Sequence, residues 1–105
     1  SANIVRDFVT PPSFYALIQA IIDFKPINTA LDCYTKSPVS KFDLLSELES
    51  KFGLNYEINE SIDIINATGS KINYYSTNKI AKDMGYDPIN TSLESVIQEI
   101  NFLGL

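Results

Sequence analysis

The chain has 105 residues, 45% of them hydrophobic and 20% charged, with only four glycines and five prolines. Those figures suit one compact domain and exclude disordered and fibrous classes. A formal charge of −5, no histidine and a single cysteine argue against a phosphate-tracking nucleic-acid surface, remove the commonest acid–base and zinc-ligating side chain, and leave no internal disulfide.

In chain order, NIVRDFV alternates apolar and charged residues and predicts a strand at about 4–9. Thr10 is placed to cap the helix that follows, with Pro11 at its first position, where a missing N–H costs nothing. Phe14, Leu17, Ile18, Ile21 and Ile22 recur at helical spacing, so a helix over 11–23 is expected to turn that face inward. The apolar run FYALIQAII is broken by Gln19 and is too short to span a bilayer. No charged-then-apolar leader opens the chain, and with one cysteine the expected setting is a reducing cytoplasm.

NTALDCYT, residues 28–35, is β-compatible. Ser40 then caps a helix to about Phe52, with Asp43 three residues on, a stripe of Phe42, Leu45, Leu48 and Phe52, and Gly53 as the stop. LNYEI reads as a short strand, SIDII permits another, NATGS is loop chemistry, and INYYS reads as extended. Thr77 is expected to cap a short helix, NKIAKDM, closed by Gly85 and blocked from continuing by Pro88. Finally, Thr91 and Glu94 form a capping-box pattern ahead of a helix whose Leu93, Val96, Ile97, Ile100 and Leu103 share a face. The expected fold is α/β or α+β, a small single domain of about four short strands and four helices.

Tyr75 and Lys79 have the Tyr-x-x-x-Lys spacing of short-chain dehydrogenases. Residues four apart are neighbours only inside a helix. Tyr75 precedes the expected cap Thr77 and Lys79 follows it, so the two are expected to diverge. The glycines at 53, 69, 85 and 104 are scattered and make no dinucleotide-binding loop. TSLESV also invites a carrier-protein reading, with Ser92 as the attachment serine, but only one helix follows it.

STNKIAKDMGYDPINTSLESVIQEI resembles the C-terminal end of the NAD-dependent epimerase/dehydratase family, the extended short-chain dehydrogenases. In that family a Ser/Thr-x-Lys helix ends in Leu-Gly-aromatic-x-Pro and leads to a Ser/Thr-Leu-Glu helix. The matching residues are Thr77, Lys79, Met84, Gly85, Tyr86, Pro88, Ser92, Leu93 and Glu94. RDFV, Arg6 to Val9, is similar to the Arg-Asp-aromatic strand that opens the family's sugar-nucleotide region. DCYTKSPVSKFDLL resembles its Asn-Val-Gly-Ser-Gly-x-x-x-Ser segment and following helix. Three departures stand out: TPPS follows RDFV where the family runs to Val-x-Asp, Tyr34 and Lys36 replace glycines, and Arg6 is the only arginine.

The resemblance implies the C-terminal substrate-binding portion of an extended short-chain dehydrogenase, with the Rossmann domain and the catalytic Tyr-x-x-x-Lys lying upstream of these 105 residues. This portion alone is expected to bind no cofactor and be inactive, with no catalytic or metal-ligating residue of its own. The full-length enzyme is expected to use NAD or NADP as an epimerase, dehydratase or reductase. Arg6 would hold the diphosphate of a nucleotide sugar, Lys71 would supply a second positive charge, and Tyr34 would form part of the pocket wall. Asp32 and Thr35, at the former Asn and Ser places, are expected to shape the turn by hydrogen bonds. The implied partners are a nucleotide diphosphate sugar and the Rossmann domain of the same protein; a homodimer is compatible, whereas nucleic acid and membrane are not. The rival expectation is a non-enzymatic interaction module descended from that family.

Overall fold

The computed structural model describes residues 2–58 and 72–104. Lys71 and the SIDII and NATGS segments lie outside the described residues. Three short strands and four helices follow in the order β1 (Val5–Arg6), α1 (Pro11–Asp23), β2 (Val39–Ser40), α2 (Lys41–Phe52), β3 (Asn73–Tyr74), α3 (Ile80–Asp83) and α4 (Ser92–Leu103) among the described residues. The strand order is β2-β1-β3. Val5 faces Ser40 in the antiparallel pair and Asn73 in the parallel pair, so β1 is the central strand although it comes first in the sequence.

The helix ends obey their local chemistry. Ser40 Oγ accepts from the Asp43 amide, and α2 stops at Gly53 with φ of 70°. Thr91 and Glu94 form the reciprocal capping box at the start of α4, and those Thr91 bonds hold the Glu94 carboxyl below the usual carboxylate range. At α1 the Thr10 side chain makes no capping bond: Pro12 removes the second amide, and the third, Ser13, goes to the Thr10 carbonyl. The first free amides, Ser13 and Phe14, both donate to the Thr10 carbonyl.

Several expected elements contract. The strand at 4–9 is reduced to Val5–Arg6, because the Phe8 amide donates to Ser92 Oγ at 2.6 Å instead of entering a ladder. Residues 28–35 form no strand: the Thr35 amide bonds the Asp7 carboxylate, and the next amide, Lys36, bonds the Asn90 carbonyl. LNYEI is also without a ladder. The short helix begins at Ile80, with Lys79 and not Thr77 at its cap position, since Ser76 Oγ accepts from the Asn78 amide and Asn78 Oδ1 from the Ile80 amide.

The largest departure is in what faces inward. The molecule is a slab of 52 × 32 × 17 Å with a radius of gyration of 16.2 Å, against about 13 Å for a compact domain of this length. So thin a body leaves little room for a two-sided core. On α1 only Ser13 and Leu17 are buried, with Ala16 and Ala20 beside them, whereas Phe14, Ile18, Ile21 and Ile22 are exposed. The small-residue face goes inward because two tyrosine rings, Tyr34 and Tyr86, occupy the space beneath it together with Ala81, packed against Leu17. On α4 the fully buried residues are Ser92 and Ser95, while Leu93, Val96, Ile97 and Ile100 are half-buried and Leu103 is exposed.

Gly85 closes α3 with φ of 93°, and a Cβ there would meet nothing within 4 Å. Substitution therefore costs backbone strain alone. Gly85→Val is expected to destabilise the chain by about 1 kcal/mol or more, since a β-branched residue resists positive φ. An unaltered urea midpoint would show that the turn relaxes to another conformation.

Candidate functional site

The segments that carry the family resemblance converge where the chain leaves β1. Asp7 turns its carboxylate toward Thr35: Oδ2 accepts from the Thr35 amide at 2.9 Å and Oδ1 from the Thr35 hydroxyl. The same hydroxyl lies 2.9 Å from the Ser37 carbonyl. The Ser37 carbonyl also accepts from the Ser92 amide at 2.8 Å, and Ser92 Oγ takes the Phe8 amide. Tyr86 donates its hydroxyl to the Tyr34 carbonyl, and the two rings meet edge to face at 5.1 Å. RDF, DCYT, GY and SLE are thus one bonded cluster. Of the two positions expected to shape the turn, Thr35 does so through Asp7, and Asp32 accepts from the Ser76 hydroxyl.

Arg6 is half-buried on the central strand. Its Nη1 donates to the Val5 carbonyl at 2.8 Å and to the Ile72 carbonyl at 3.1 Å, and its Cζ sits 5.7 Å from the centroid of the Tyr74 ring. These contacts hold the guanidinium against β3 and fix its plane. Tyr34, the expected wall residue, is 4% exposed. Its ring lies under the Lys79 ammonium, whose Nζ is 3.8 Å from the ring centroid. The Tyr34 hydroxyl is enclosed and has no hydrogen-bond partner among the described residues. The nearby Lys82 amide is already spent on the Lys79 carbonyl. Arg6 and Tyr34 are therefore separate features, one on the strand and one in the core.

Burial, with smaller effects from Asp83 and Cys33, pushes the Tyr34 phenol above its ordinary value, although the Lys82 backbone opposes it. Burial likewise raises Tyr86, reinforced by the Cys33 thiol, whose Sγ is 3.7 Å from the Tyr86 oxygen. Both phenols stay protonated at neutral pH, and Tyr86 spends its proton on the Tyr34 carbonyl. Tyr75 is exposed in the extended segment, while Lys79 reaches back to Tyr34 and to the Ser76 carbonyl at 3.5 Å. The Tyr-x-x-x-Lys spacing brings no pair together. Ser92 is fully buried with its hydroxyl accepting from Phe8, which leaves no attachment point for a prosthetic arm.

Several helix N-terminal amides among the described residues are replaced or already bonded. A pyrophosphate cradle needs unspent amides at a helix N-terminus. At α1 two of them are replaced by Pro11 and Pro12. At α2 the Phe42 amide donates to Asn3 Oδ1 and the Asp43 amide to Ser40 Oγ. At α4 the Glu94 amide is taken by Thr91. No group of three or more metal-ligating side chains occurs among the described residues, and no helix there is long and apolar enough to cross a membrane. The chain matches no protein-family model, and neither a curated protein nor a solved structure matches it.

Proposed function

We propose that this chain is the nucleotide-sugar-binding part of an NAD(P)-dependent epimerase or dehydratase, whose dinucleotide site and hydride chemistry reside in another domain of the same protein. The supporting observation is the bonded cluster of Asp7, Thr35, Phe8, Ser92, Tyr34 and Tyr86. Residues far apart in sequence that resemble one family's motifs have mutual structural roles, and the strand they anchor carries Arg6. The Val5 and Ile72 carbonyls and the Tyr74 ring fix the orientation of that guanidinium, and a guanidinium of fixed orientation suits a diphosphate. The rival reading, a non-enzymatic interaction module, draws on the same carbonyl contacts, which suffice to give Arg6 a purely structural task.

Titration with nucleotide diphosphate sugars separates the two. In the complete protein, Arg6→Ala is expected to weaken binding by about 2 kcal/mol, roughly thirty-fold, the scale of a lost charge-assisted contact. Arg6→Lys should regain only part of that, since an ammonium cannot reproduce the fork. The Ile72 contact makes a thermal melt a necessary companion measurement. Unchanged affinity in a folded Arg6→Ala variant would assign the arginine to structure and favour the interaction module.

A further inference from the structure

α1 is apolar nearly all round. From Pro11 to Ile22 it carries no charged residue, and Gln19 is its only long polar side chain. Helices of that kind are normally enclosed. Here one face packs on the tyrosine cluster and the opposite face is open: Phe14 is 53% exposed, Tyr15 64%, Ile18 37%, Ile21 40% and Ile22 66%. Pro11, Phe14, Ile18 and Ile21 follow one another at spacings of three, four and three within the helix, the register of a helix-pairing seam.

We propose that this face pairs with the same face of a second copy, two α1 helices running antiparallel about a two-fold axis at Ile18. Three arguments favour that occupant. The exposed side chains present on the order of 500 Å² per copy, given aromatic side chains of about 150–250 Å². Two copies then reach roughly the 1,000 Å² that a specific interface requires. The face is uncharged, so the formal −5 of each chain does not bring like charges together at the seam. The ends are also complementary. α1 has no acidic residue in its first turn and no basic residue in its last, so its own residues compensate neither end of its dipole. Antiparallel pairing lays each Asp23 beside the partner's first turn, where negative charge is favoured. Phe14 then sits against Ile22 of the partner subunit, as a residue and its mate about Ile18 must.

Sedimentation equilibrium of the chain at micromolar concentration tests this, with Ile22→Glu and Asp23→Lys as variants. The wild type should be a dimer. Ile22→Glu should weaken association at least a hundred-fold, and Asp23→Lys several-fold with a dependence on salt. A cysteine scan in a Cys33→Ser background fixes the axis: Ile18→Cys should oxidise to a disulfide-linked dimer, and Ile27→Cys, exposed but off the seam, should not. A monomeric wild type, an association indifferent to Ile22→Glu, or equal cross-linking at 18 and 27 would each overturn the proposal. If Ile22→Glu lowered the melting temperature of a protein that stays monomeric, the cover would be intramolecular, and the inference would fail without touching the Arg6 reading.

Discussion

Tyr86→Ala is expected to cost about 4 kcal/mol of folding stability, within the range for truncating a buried aromatic side chain. In this thin body the ring has few substitutes. Tyr86 is 2% exposed, packs on Leu17 and Ala81, meets Tyr34 edge to face and donates its hydroxyl to the Tyr34 carbonyl. Tyr86→Phe keeps the packing and removes the donor, leaving a buried carbonyl without its phenol partner, and should cost about 1–2 kcal/mol. Urea denaturation of both variants measures the split between ring and hydroxyl. A loss below about 1 kcal/mol for Tyr86→Ala would mean that the neighbouring side chains collapse into the space and that the cluster is plastic.

Asp7→Ala should follow closely, at about 3 kcal/mol, since it strips two bonds made to a charged acceptor and strands the amide of Thr35, itself 2% exposed. Asp7→Asn is the more discriminating change. The Thr35 hydroxyl has one proton and faces two acceptors, the Asp7 carboxylate and the Ser37 carbonyl. With asparagine, the side-chain oxygen can keep the Thr35 amide while its NH₂ donates to the Thr35 hydroxyl, which gives its proton to Ser37. Every group stays satisfied, and the loss should fall below about 1 kcal/mol. If Asp7→Asn were as damaging as Asp7→Ala, the negative charge, and not the bond count, would be what the turn requires.

What the sequence made legible is chemistry that acts over three or four residues. The Ser40–Asp43 cap, the Thr91–Glu94 box, the Gly53 and Gly85 turns and the bounds of α1, α2 and α4 all follow from such short-range rules. The inward faces were not legible, because they depend on partners tens of residues away. The periodicity of Phe14, Ile18, Ile21 and Ile22 marks an apolar face truly, but Tyr34 and Tyr86 claim the other side of α1. The length of β1 escapes the sequence for a similar reason: alternation cannot disclose that the Phe8 amide is taken by Ser92. At the candidate site, Arg6 was visible by its motif alone. Asp7, Ser92 and Tyr86 lay in the same motifs, yet their roles became readable only once the motifs were seen bonded to one another.

The central position of β1 has a consequence for how the chain is made. Its antiparallel neighbour begins at Val39 and its parallel neighbour at Asn73, so β1, made before both, waits for each of its partners. At about 5–20 residues per second, Tyr74 is polymerised roughly 3–14 s after Arg6, long compared with the microseconds in which a helix such as α1 forms. During that interval the nascent chain carries α1 without the tyrosine cluster that will later shelter Leu17. The sheet is assembled through loops closed across much of the sequence, the arrangement in which folding is slow, and a holdase that binds extended apolar peptide would find its target in the segment from β1 through α1.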